Sequence, residues 1–189
     1  LYTVATGPAL PLWSKVADHR GPVLLVTAHR RESWGAPMRE LVSALLEIAN
    51  ARPELLIVLP VHANPTVRTA LADLGGGPRN IELLDALDYP SFVACMQRAT
   101  LLLTDSGGVQ EEGPSLRKPV LVTRATTERM EGIERGCAKL VGADRGAIVA
   151  AVSELLDDAE AYELMSWAGN PYGDGNAASR CVEAMEELL

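Results

Sequence analysis

The chain has 189 residues, 48% of them hydrophobic and 22% charged, enough to bury the core of one compact domain of roughly 100 to 200 residues. Its 17 Lys and Arg against 25 Asp and Glu give a net charge of -8, which excludes the basic footprint that a nucleic-acid partner demands. Three widely spaced cysteines form no CxxC pair and the longest apolar runs are too short for a bilayer, so no disulfide framework, metal site or membrane partner is expected, and the thiols read as the reduced cysteines of a cytoplasmic protein.

Residues 1–22 open with "LYTVATGPALPLW", which is rich in small and turn-forming residues and has no clean period. They read as the remnant of an interdomain linker, with a further N-terminal portion expected ahead of Leu1. From Val23 the pattern changes. Short apolar runs recur at "VLLVTAH" (Val23 to His29), "LLIVLPVH" (Leu55 to His62), "IELLDAL" (Ile81 to Leu87), "TLLLTDS" (Thr100 to Ser106), "PVLVTRA" (Pro119 to Ala125) and "KLVG" (Lys139 to Gly142). Apolar at consecutive positions, each suits a strand covered on both faces. Helical patterns lie between them: "MRELVSALLEIANA" places Leu41, Leu45 and Ile48 on one face, and Asp88 with Pro90 marks a helix start before "FVACMQRA". The remainder, "RGAIVAAVSELLDD", "AEAYELMSWA" and "AASRCVEAMEELL", is mostly helical. Alternating strands and helices predict an α/β fold with a doubly wound, Rossmann-like parallel sheet over 23–189.

Ligands of such sheets bind beyond the carboxyl ends of the strands. There Ser106-Gly107-Gly108 joins a strand to a helix: two glycines admit a close ligand and the helix N-terminus offers unpaired N–H groups, a geometry that suits phosphate or, equally, tight packing alone. Glu111 and Glu112 follow in the same helix, either complementing its dipole or accepting two hydroxyl protons from a vicinal diol. A nucleoside diphosphate needs both features, donors for its phosphates and an acid for its ribose. "TAHRRESW" ends another strand in His29, Arg30, Arg31 and Glu32; His29 reads as functional, while Arg31 and Glu32 either take part or simply pair at the surface. Arg129 in "TTER" closes on the diphosphate from the opposite side or forms a surface salt bridge. Phe92 is either core or a platform for a pyrimidine, and His62 caps a further strand.

"VTAHRRES", "PVHANPTVR", "LLDALDYPSFVACM", "LTDSGGVQEEGPSLRKPVLVTRATTER" and "NPYGDGNAASR", in this order, resemble the C-terminal half of bacterial non-hydrolysing UDP-N-acetylglucosamine 2-epimerases. The resemblance covers Val23 to the end. It implies the C-terminal domain of a two-domain, glycosyltransferase-B-like enzyme that interconverts UDP-GlcNAc and UDP-ManNAc by elimination and re-addition of UDP, without a cofactor, for cell-surface polysaccharide synthesis. It places His29 as the active-site histidine, Ser106, Gly107, Glu112 and Arg129 on UDP, and Phe92 near uracil. His62 falls at an allosteric UDP-GlcNAc position. The family is often a homodimer. The acidic residues proposed for proton transfer belong to the absent N-terminal domain, so this chain alone is expected to bind UDP weakly and not to epimerise. Two positions depart from the family pattern: Met130 stands where TTERPE has proline, and Cys137 stands where a threonine follows the glycine. The second change puts a weak hydrogen-bonding group near the expected phosphate region. The donor domain of a glycosyltransferase and a stand-alone nucleotide-sugar-binding module are the alternatives.

Overall fold

A computed structural model describes residues 1–5, 13–30, 34–61 and 65–188. Six strands, β1 (Val23–Thr27), β2 (Leu56–Pro60), β3 (Ile81–Leu84), β4 (Leu101–Thr104), β5 (Val120–Val122) and β6 (Ala138–Leu140), form one sheet in the order β3-β2-β1-β4-β5-β6, every pair parallel. Each coincides with one of the six apolar runs. The runs extend past most of the strands because burial continues where the ladder stops: Thr123 and Arg124 are still buried after β5.

Alternate residues of each strand serve opposite faces, as a period of two requires. Leu24 and Val26 of β1, Ile57 and Leu59 of β2, and Leu101 and Leu103 of β4 enter one core. That layer is completed by α3 (Ala36–Ala51), α4 (Pro65–Ala70), α5 (Ala72–Gly75), α9 (Arg145–Asp157) and α10 (Ala159–Ser166). Val23 and Leu25, Leu56 and Val58, and Leu102 enter the other, beneath α1 (Tyr2–Ala5), α2 (Ser14–Asp18), α6 (Tyr89–Arg98), α7 (Gly107–Ser115) and α8 (Met130–Arg135). Burial of each such leucine or valine contributes about 1.5–3 kcal/mol. The closing helix α11 (Ala177–Glu186) has no buried residue.

Of the stretch expected as a linker, the described residues 1–5 and 13–22 include several that pack on the second core. Val16 is fully buried in the second core, and the Gln97 side chain of α6 donates to the Ala5 carbonyl at 2.8 Å. An apolar α6 face that needs cover explains why these residues fold back. Asp88 caps α6 through the Ser91 N–H, as the sequence predicts. Among the described residues no helix is long and apolar enough to cross a membrane.

Candidate functional site

The strand order reverses between β1 and β4, so a crevice opens where their C-terminal ends diverge. Two hydroxyls pin that edge, Thr27 Oγ1 and Thr104 Oγ1 lying 2.5 Å apart. Thr104 Oγ1 also accepts the Ser106 N–H at 2.9 Å. One residue beyond β4, the fully buried Asp105 accepts the backbone N–H groups of His29 and Arg30 at 2.9 and 2.8 Å. The carboxylate thereby holds the chain leaving β1, and His29 stands half exposed above it.

Ser106 is the N-cap of α7 in extended conformation, yet its hydroxyl bonds none of the helix's own first amides. Those amides and the hydroxyl face the rim together, an arrangement suited to an anion. Arg129 lies directly over the turn: a β-carbon added at Gly107 would stand 2.9 Å from its guanidinium carbon. Glu111 holds that guanidinium, accepting from Nε at 2.9 Å and lying equally close to Nη2. Glu112 has a different partner, the Tyr89 hydroxyl at 2.8 Å. The two glutamates thus separate, one restraining the cation and the other placed beside the opening of α6. Partial burial and the bond to Glu112 push the Tyr89 phenol up to about 12.

The loop that carries Arg129 is braced from three sides. Thr127 Oγ1 donates to Gln110 of α7 at 2.6 Å and accepts the Arg129 N–H at 3.1 Å. Arg124 makes a forked bond to Glu128 at 2.8 and 3.1 Å, which, with a contribution from Arg30, holds the Glu128 carboxyl down at about 2. Tyr172 accepts the Gly132 N–H and donates to the Arg129 carbonyl, while Asn170 donates to Ser115 of α7 and accepts the Tyr172 N–H. The "NPYGDG" stretch is therefore a buttress for the Arg129 loop.

His29, Phe92 and Ser106 line one hollow of about 250 Å³ with Leu87 and Val109, large enough for a flat ring. A neighbouring hollow of about 360 Å³, bordered by Trp13, Arg68 and Asp85, lies away from the glycine turn. Phe92 also packs against the second core, as one of its two readings expects. Gly108 leaves the rim nearly open, a β-carbon there meeting only Ser106 Oγ at 3.8 Å. His62, Arg31 and Glu32 lie outside the described residues. Among the described residues no cluster of three or more His, Cys, Asp or Glu could hold a metal ion.

One expectation changes, and the Met130 departure is accounted for. Cys137 is not turned to a phosphate site: it is buried beyond the C-terminal end of α8, its Sγ donating to the Gly132 carbonyl at 3.4 Å. The six residues of α8 put roughly 9 Å between it and the Arg129 end. Met130 occupies the first position of α8, where an N–H is unpaired in any helix, so losing proline there removes no bond. Asp105, Tyr89, Gln110 and Tyr172 lie inside the quoted motifs but were not singled out by sequence reasoning.

The family profile described as UDP-N-acetylglucosamine 2-epimerase matches residues 6–186. A probable UDP-N-acetylglucosamine 2-epimerase of Ralstonia solanacearum is 51% identical over 164 residues, covering 87% of this chain and 44% of that protein. The S. aureus MnaA-UDP co-structure superposes with a TM-score of 0.86 at 41% identity, covering 93% of this chain and 48% of that one. The UDP-GlcNAc 2-epimerase from Neisseria meningitidis bound to UDP-GlcNAc gives 0.84 at 42% identity, covering 88% and 45%. The chain spans about half the length of these relatives and corresponds to their C-terminal, glycosyltransferase-B-like half. With this profile across nearly its whole length, the chain belongs to the UDP-N-acetylglucosamine 2-epimerase family.

Proposed function

We propose that this chain is the UDP-binding half of an enzyme that interconverts UDP-GlcNAc and UDP-ManNAc by eliminating and re-adding UDP. The observation that carries the reading is the bare Gly107 face beneath the Arg129 guanidinium at the start of α7, with Glu112 one turn further on. In this reading the Gly107 and Gly108 amides, the Ser106 hydroxyl and Arg129 take the diphosphate. Glu112 takes the ribose hydroxyls, and Phe92 stacks on uracil across the hollow it shares with His29. Arg129 offsets the charge that gathers on UDP as it leaves, and His29 stands at the same rim to serve the reacting sugar. Relatives bound to UDP and to UDP-GlcNAc, with TM-scores of 0.86 and 0.84, support the ligand. Free thiols at Cys95, Cys137 and Cys181 support a reducing, cytoplasmic location.

The proton-transfer groups at C2 are supplied by the other half of the enzyme, so the chain alone binds nucleotide and does not turn it over. Calorimetry of the chain with UDP tests the binding claim: weak, saturable heat, with a Kd that Glu112→Gln raises, is the expected result. Absence of heat at millimolar UDP sinks it. Joined to the N-terminal half of its own protein and given UDP-GlcNAc without an acceptor, it forms UDP-ManNAc; a glycosyltransferase would not.

A further inference from the structure

Asp105 does more than pin the chain that leaves β1. Its Oδ2 is occupied by the His29 and Arg30 N–H groups, and its Oδ1 lies 3.4 Å from Nδ1 of the His29 ring. The backbone bonds fix the carboxylate beside the His29 main chain, so in the rotamer the structure shows Nδ1 meets Oδ1. A neutral imidazole carries one N–H and one lone pair, whereas a carboxylate only accepts. With the lone pair at Nδ1, two acceptors would face each other where the carboxylate is fully buried; with the proton there, the contact is attractive.

We infer that Asp105 is a positioning residue that holds His29 as the Nδ1–H tautomer and turns the Nε2 lone pair toward the hollow shared with Phe92 and Ser106. This is the opposite of the form that a free imidazole favours in water. It refines what His29 can do, and that part rests on the proposed nucleotide-sugar reading. Neutral His29 accepts a hydrogen bond or a proton at Nε2 and does not donate from it. When Nε2 takes a proton, the imidazolium keeps Nδ1–H toward Asp105, whose charge offsets the new one. Any proton that His29 passes on therefore leaves from Nε2.

Long-range proton–nitrogen NMR of the 15N-labelled chain, without nucleotide and with the ring neutral, reads the tautomer directly. His29 is assigned by the loss of its cross-peaks in His29→Gln. The expected spectrum shows Nδ1 in the protonated range and Nε2 in the unprotonated range. In Asp105→Asn the amide keeps an acceptor for the backbone but presents N–H groups to the ring, and the pattern moves toward Nε2–H. A wild-type ring in the Nε2–H form overturns the inference, as does a folded Asp105→Asn variant with an unchanged pattern. Should that variant fail to fold, the wild-type spectrum decides. No nucleotide enters the measurement, so failed UDP binding with an Nδ1–H ring would sink the function proposed for the site and leave this inference standing.

Discussion

Replacing Gly107 with alanine separates the architecture of the site from its chemistry. The added methyl would stand 2.9 Å from the Arg129 guanidinium carbon and 3.1 and 3.2 Å from two of its nitrogens, so the guanidinium must move off the turn. Two small effects on stability oppose each other. The alanine gains up to about 1 kcal/mol in a helix relative to glycine, less at the first position. Displacing Arg129 from Glu111, a half-exposed pair, costs about 0.2–1 kcal/mol. The melting temperature should therefore stay within roughly 2–4 °C of wild type for a chain of this size. Binding behaves differently, because Arg129 loses a hydrogen bond between two charged groups, about 1.5–3 kcal/mol, and the Kd for UDP rises roughly ten- to a hundredfold. Thermal scanning and calorimetry on one preparation measure both. An unchanged Kd refutes the placement of the diphosphate over Gly107, and a collapse in Tm refutes the claim that the glycine is there for a ligand and not for packing.

Gly113→Ala is the converse. Its methyl would come within 2.6 Å of Val120 Cγ2 and 2.8 Å of Leu102 Cδ1, atoms of the sheet itself, so stability should fall by about 1–3 kcal/mol in denaturant titration; an unchanged midpoint would show that α7 can lift off β4 and β5 freely. Tyr89→Phe removes the donor that holds Glu112 and should raise the Kd for UDP roughly two- to tenfold with little change in Tm; in a Glu112→Gln background the effect should vanish, and additive losses would contradict the coupling. The Glu128 carboxyl, lowered from 4.5 to about 2 chiefly by the Arg124 bond, should titrate near its lowered value by carboxyl NMR and rise toward the ordinary glutamate range in Arg124→Ala, its own backbone N–H and Arg30 still holding it down in part. The sign follows from the lowered value: the bond's contribution is complete above pH 4.5 and is lost as pH falls through about 2, so acid should loosen the Arg129 loop, and a Glu128 midpoint at the ordinary value would refute it.

Local pattern carried most of the fold. Six apolar runs marked six strands because a strand covered on both faces leaves no room for polar alternation, and Asp88 marked α6 because its cap bond spans three residues. The rim residues were legible for a similar reason, since glycines and charged groups just after an apolar run stand out. What could not be read is what depends on distant partners. Asp105 looks like any acid ending a strand until β1 brings His29 beside it from 76 positions away. Glu111 and Glu112 are chemically alike in sequence, and only the positions of Arg129 and Tyr89 tell them apart. Val16 sits in a stretch with no period, and its burial depends on a face of α6 that forms much later in the chain. Cys137 follows the same logic: its spacing from Arg129 looks short, but a helical turn sends its thiol into the interior.

The most direct measurement of the central claim is a crystal structure of this chain with UDP. It should place phosphoryl oxygens within hydrogen-bonding distance of the Gly107 and Gly108 amides and of Arg129, with the ribose hydroxyls on Glu112 and uracil against Phe92. UDP seated elsewhere, with no phosphoryl oxygen on Gly107, Gly108 or Arg129 and no ribose hydroxyl on Glu112, would contradict it.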